Sequence, residues 1–123
     1  MKKFSLLIIL SMLILITAAG CSEPVFNGNR TSNDVQFIMD YSILSRAETH
    51  EMKLKEGATI NVIIKNNSGR VDILVADTNG KEIYKGDNAA SGNFSLKIPK
   101  TDTYKFSVTG SKAKGSVSFK VAS

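Results

Sequence analysis

Alternation at period two runs through this chain from residue 35 onward. Val35-Phe37-Met39-Tyr41, Ile60-Val62-Ile64, Val71-Ile73-Val75, Phe94-Leu96-Ile98, Tyr104-Phe106-Val108 and Val117-Phe119-Val121 each interleave apolar with polar residues. Successive side chains of a strand point to opposite faces, so each segment reads as a strand with one buried and one wet face. A more polar segment begins near Ala47 and ends in Met52 and Leu54. No window of useful length has helical spacing, and the β-branched and aromatic residues favour strands. About seven to eight short strands punctuated by turn residues predict an all-β fold, a single antiparallel β-sandwich over 35–123. Each large side chain of the alternating set stabilises it by about 1.5–3 kcal/mol when fully buried, before entropy is counted. Phe106 and Ile73, at mid-strand, are the expected centre of the core.

The joints between segments are equally legible. Asn66-Asn67-Ser68-Gly69 and Gly110–Gly115 are expected to be turns, and Pro99, with no amide donor, ends a strand. Asp77-Thr78-Asn79-Gly80-Lys81 fits a three-residue hairpin loop: a type I turn followed by a left-handed glycine. This loop pairs Asp77 with Lys81 and is expected to set Ile83 opposite Val75 on the core face. Tyr84 is the expected exposed ring.

The first fifth of the chain has a different grammar. Lys2 and Lys3 precede an uncharged apolar run, Phe4–Ile16, and small residues follow at Ala18-Ala19-Gly20 before Cys21, the single cysteine. Basic, apolar and small-residue regions in that order form a secretory signal. Ala18-Ala19-Gly20-Cys21 resembles a bacterial lipobox, with Ala18 where that family usually has leucine. The resemblance implies a cleaved helical signal peptide over 1–20. It also implies a lipid on Cys21 (diacylglycerol plus a fatty acid such as palmitate) that holds the protein at the cell membrane or outer membrane, on its extracytoplasmic face. Ser22 stands where that family's inner-membrane retention signal has Asp. Two alternatives are an uncleaved membrane anchor over Phe4–Ala19 and a soluble secreted form with a free thiol. Residues 21–34 read as the lipidated cysteine and a flexible tether, because Ser22–Asp34 is rich in Asn, Ser, Gly and Pro and lacks periodicity.

From Leu54 onward the chain resembles the bacterial pre-peptidase C-terminal domain. The matching stretches are Lys55-Glu56-Gly57-Ala58-Thr59-Ile60, Val71–Asp77 before Gly80-Lys81, Ile98-Pro99-Lys100-Thr101-Asp102-Thr103-Tyr104, and Gly115-Ser116-Val117. Asp102 stands where the family often has glycine. The resemblance implies a β-sandwich accessory module that binds surfaces, substrates or calcium.

Charge excludes one class of partner. Setting Lys2 and Lys3 aside leaves 14 of 16 basic residues against 11 acidic ones, a net of +3 that is spread along the chain. Nucleic-acid binding needs a concentrated basic stripe with interleaved aromatics, so no nucleic-acid partner is expected. Catalysis is not expected either. His50 is the single histidine, no Gly-x-Ser-x-Gly elbow occurs, and the serines alternate with core residues. Acidic residues in turns usually accept local backbone hydrogen bonds. No cofactor is expected beyond the lipid; a calcium ion, if bound, would draw on Asp77, Asn79 and Asp87. These readings converge on a lipid-anchored, extracytoplasmic binding or structural module of the cell envelope, not an enzyme. Its partners would be the membrane, through the anchor, and an envelope protein or wall polymer. The alternatives are an inhibitor or immunity-type lipoprotein protecting the envelope, an accessory domain of a secreted or envelope enzyme, and an adaptor that pairs its sheet edge with another chain.

Overall fold

A computed structural model describes residues 24–123. The leader and Cys21 lie outside the described residues. The described chain forms seven strands: β1 Phe26–Asn33, β2 Gln36–Leu44, β3 Ala47–Leu54, β4 Thr59–Ala76, β5 Glu82–Gly86, β6 Gly92–Lys97 and β7 Asp102–Val121. All pairings are antiparallel. The all-β sandwich expected from the alternation is therefore present.

Two long strands organise it. β4 has 18 residues and β7 has 20, and they pair along nearly their whole lengths. The ladder loses register at Asn66–Arg70, opposite Ser111–Lys114, and there it folds over. One layer is β1-β2-β7(113–121)-β4(59–66)-β6, and the other is β3-β7(102–110)-β4(70–76)-β5. Strands that pass from one layer to the other through bends are a known way to make sandwich corners. The two segments expected to be turns, Asn66–Gly69 and Gly110–Gly115, are these bends. Gly69 has φ +73°, and Lys112 beside it has φ +48°. A Cβ at Gly69 would collide with the Lys112 carbonyl, so only glycine lets the two backbones approach this closely.

The core lies between the layers. Phe37, Met39 and Leu44 of β2 and Phe119 of β7 meet Met52 of β3, Ile73 of β4, and Tyr104 and Phe106 of β7, all at most 1% exposed. The rings of Phe106 and Phe119 belong to opposite layers and meet edge-on at 5.0 Å between centroids. Phe106 and Ile73 are buried, as the alternation demands.

Four expectations are corrected. Within the stretch 21–34 read as a tether, Phe26–Asn33 forms β1, an edge strand on β2. Its pattern is almost wholly exposed, so it carries no apolar alternation; backbone pairing places it. Val35 is 55% exposed because it sits in the tight β1–β2 connection, where its N–H binds the Asn33 side chain. The Asp77–Lys81 loop has the expected hydrogen bonds, Gly80 N–H to Asp77 O and Asp77 N–H to Lys81 O, each at 3.0 Å. A bulge then shifts the register, so that Ala76 faces Glu82 and Val75 faces Tyr84 rather than Ile83. Ile83 still packs against the core as a half-buried residue; Tyr84, the ring expected to be exposed, is half-buried too, because it packs 4.9 Å from the ring of Phe94.

Candidate functional site

The strand directions give the sandwich two distinct ends. The near end holds Val25, the β2–β3 connection at Ser45 and both bends; Ser45 N–H donates to Val25 O at 2.7 Å. The far end holds the β1–β2 turn, the β3–β4 connection, the Asp77–Lys81 loop, the β6–β7 connection and the C-terminal residues. A half-strand such as 59–66 separates the two by about 25 Å.

The far-end loops are tied to one another. Asp77 is the buried charged residue of the described chain, at 7% exposure. Its Oδ1 accepts the N–H groups of Asn79 and Lys81, each at 2.9 Å, and its Oδ2 lies 3.2 Å from Lys100 Nζ. Lys100 also reaches Asp102, whose carboxylate accepts the Thr78 hydroxyl at 2.9 Å and the Thr103 N–H at 2.7 Å. Tyr104 donates its hydroxyl to Lys100 O at 2.6 Å, and Glu56 N–H binds Thr101 Oγ1. Ile98 and the Gly57–Ala58 turn exchange two backbone hydrogen bonds. Loops cross-linked in this way present their exposed tips (Glu56, Thr78, Asn79, Lys81) from a fixed frame.

Electrostatics fix the charges of this cluster. Backbone donation from Lys81, aided by Lys100, holds the Asp77 carboxyl below the usual carboxylate range. The Thr103 N–H, aided by Thr78 and Lys100, does the same for Asp102. The hydrogen bond to Asp77 raises Lys100 above the usual lysine value. General acid–base work needs a group that titrates near the working pH; these three are held in their charged forms across the neutral range.

A second polar cluster closes one open side of the sandwich, between edge strands β1 and β3. Arg30 lies 4.8 Å from the Phe37 ring centroid, donates to Thr49 O and lies 3.6 Å from Glu48. His50 Nε2 donates to Asn33 O at 2.6 Å, and its ring tilts against Phe37. Arg46 pairs with Glu48 at 3.2 Å and lies over Phe26. Both arginines and His50 thus fasten a polar edge strand. Sequence reasoning missed this role, because the two strands meet through side chains rather than through a ladder.

Of the residues considered for calcium, Asp77 and Asn79 share one loop, while Asp87 lies beyond the opposite end of β5. Among the described residues no group of three or more His, Cys, Asp or Glu is placed to hold a metal ion.

No protein-family model and no curated protein matches this chain. Solved structures do. The pre-peptidase C-terminal domain of collagenase from Bacillus anthracis is similar over 82% of this chain and 100% of its own, with 12% identity and a TM-score of 0.50. Aeromonas hydrophila PliG, a periplasmic lysozyme inhibitor of g-type lysozyme, is similar over 78% of this chain and 89% of its own, with 16% identity and a TM-score of 0.48. PliG of Salmonella Typhimurium is similar over 82% and 93%, with 16% identity and a TM-score of 0.42. At these identities the likeness to the collagenase domain is one of fold, and it agrees with the resemblance carried by the turns and strand entries.

Proposed function

We propose that this chain is a lipid-anchored binding module of a bacterial cell envelope, held by Cys21 on the extracytoplasmic face. The observation that carries the reading is the polarity of the sandwich. The chain enters at the near end, four residues after Cys21, and the cross-linked charged loops sit at the far end. An anchor at one end leaves the rigid polar end facing outward, where an envelope protein or a wall polymer can reach it. The leader pattern supports export and acylation. The fold shared with the pre-peptidase C-terminal domain of a collagenase lends a scaffold and not an activity, so the role is argued from the site. His50 binds the Asn33 carbonyl and Asp77 binds the backbone of its own loop, so both hold structure.

Two measurements test the reading. Growth with labelled palmitate should mark the wild-type protein in the membrane fraction, and Cys21→Ser should lose both label and membrane retention. Photo-crosslinkers placed at Thr78 or Asn79 should form adducts in intact cells, while the same group at Asn61 or Lys105, on the outer sheet faces, should not. An unlabelled wild-type protein, or adducts equally frequent at all four positions, would refute it.

A further inference from the structure

The near end carries its own chemistry. Pro24, Val25 and Ile43 line a cleft of about 500 Å³ together with Ser68, Lys112 and Lys114. Val25 is 45% exposed, one of few large apolar residues so placed. Lys114 also borders a neighbouring groove with Lys65 and Asp40. Among the described residues, the ion pairs at Arg46 and Arg70 are closed by Glu48 and Asp72, and none of the pairs includes Lys65, Lys112 or Lys114.

We infer that this end of the sandwich is a docking surface for an anionic phospholipid bilayer. The inference rests on the lipid-anchor reading. Val25 lies four steps along the chain from Cys21, and an extended chain spans at most about 3.6 Å per step. A lipid on Cys21 therefore keeps Val25 within about 15 Å of the headgroups. The bends of β4 and β7 lie beside Val25, so turning this end toward the membrane brings Lys112 and Lys114 within about 8 Å of the surface, one screening length at physiological salt. Each lysine near such a surface favours the contact by about five-fold, so the pair favours the docked orientation by about 30-fold. Val25 and Pro24 supply an apolar tip between the lysines and the anchor. The bilayer fits better than a protein partner here, because the tether leaves little room for a folded domain between this end and the membrane. Docking would fix the module upright and turn the Asp77–Lys100–Asp102 end outward.

The test separates this inference from the acylation reading by supplying a surrogate anchor. The chain from Cys21 onward, which contains the whole described core, is coupled through its single thiol to a maleimide lipid. The carrier vesicles contain phosphatidylcholine with phosphatidylglycerol and a trace of gadolinium-chelate lipid. Amide signals of Ser45, Ser68, Lys112 and Lys114 should broaden strongly, and those of Thr78, Asn79 and Thr101 should stay sharp. K112Q/K114Q, pure phosphatidylcholine, or salt near 1 M should each shrink the difference to the remnant that the short tether alone imposes. Equal broadening at both ends, or a contrast indifferent to the two lysines, would overturn the inference. The palmitate experiment reads failure of the anchor separately, and an unlabelled Cys21 in cells would remove this orientation whatever the vesicles show.

Discussion

Replacing Gly69 with alanine tests whether the close approach of β4 and β7 at their bend holds the two layers together. Three glycines share nearly the same left-handed backbone: Gly57 at φ +86°, Gly69 at φ +73° and Gly80 at φ +82°. Their surroundings differ. Nothing lies within 4 Å of a Cβ built at Gly57 or Gly80, whereas one at Gly69 collides with the Lys112 carbonyl and lies 2.7 Å from Ser111 O. Left-handed backbone costs an L-residue about 1–2 kcal/mol, and this applies to all three. At Gly69 the β7 backbone must also move, and overpacking of this kind costs about 1–3 kcal/mol more. Gly80→Ala and Gly57→Ala should therefore each lose about 1–2 kcal/mol, and Gly69→Ala about 2–5 kcal/mol. A domain of this size has about 5–15 kcal/mol of stability, so Gly57→Ala and Gly80→Ala should fold well enough to measure, and a Gly69→Ala variant too unstable to give a transition counts as a loss at the upper end. Urea denaturation followed by far-ultraviolet circular dichroism gives the three values side by side. Equal losses at Gly69 and Gly80 would refute the claim that contact across the bend, rather than backbone angle, makes Gly69 necessary.

Two further outcomes follow from buried polar groups. Tyr41 is 3% exposed, its hydroxyl has no hydrogen-bond partner among the described residues, and burial raises its pKa above the ordinary value. Tyr41→Phe should be neutral or up to about 1 kcal/mol more stable; it should also remove the loss of stability that sets in as pH rises past the ordinary tyrosine value, where the unfolded chain ionises first. Asp77 has a depressed folded pKa, so its contribution is complete above the unfolded carboxylate value, near pH 4, and disappears as pH falls through the lower folded value. Asp77→Asn should lower the thermal midpoint at neutral pH and flatten its decline below pH 4; an unchanged acid limb would show that the backbone hydrogen bonds and the Lys100 contact of this carboxylate together add nothing.

Some of this was legible residue by residue. The core pairs came from alternation: Phe106, Ile73, Val62 and Phe119 face inward because their neighbours Lys105, Asp72, Asn61 and Lys120 are polar. The Asp77–Gly80 loop was legible because its chemistry is local, a side chain accepting from backbone two and four residues on. The following bulge was not, since both Ile83 and Tyr84 can pack inward and the choice depends on Phe94, a partner from another strand. β1 was illegible for a related reason. An edge strand held by β2 and by Arg30 needs no apolar stripe, so Asn27–Asn33 shows only the composition of a loop.

By itself, then, the sequence determined that this protein is built of half-buried strands and which side chains fill its interior. Period-two burial is written into each segment and needs no distant partner. The tertiary structure alone decided that Asn66–Gly69 and Gly110–Gly115 bend two continuous strands instead of ending four short ones. A run of Asn, Ser and Gly marks a departure from extended backbone. Whether the chain then reverses or carries on depends on which strand waits beside it, and β4 and β7 are each that strand for the other.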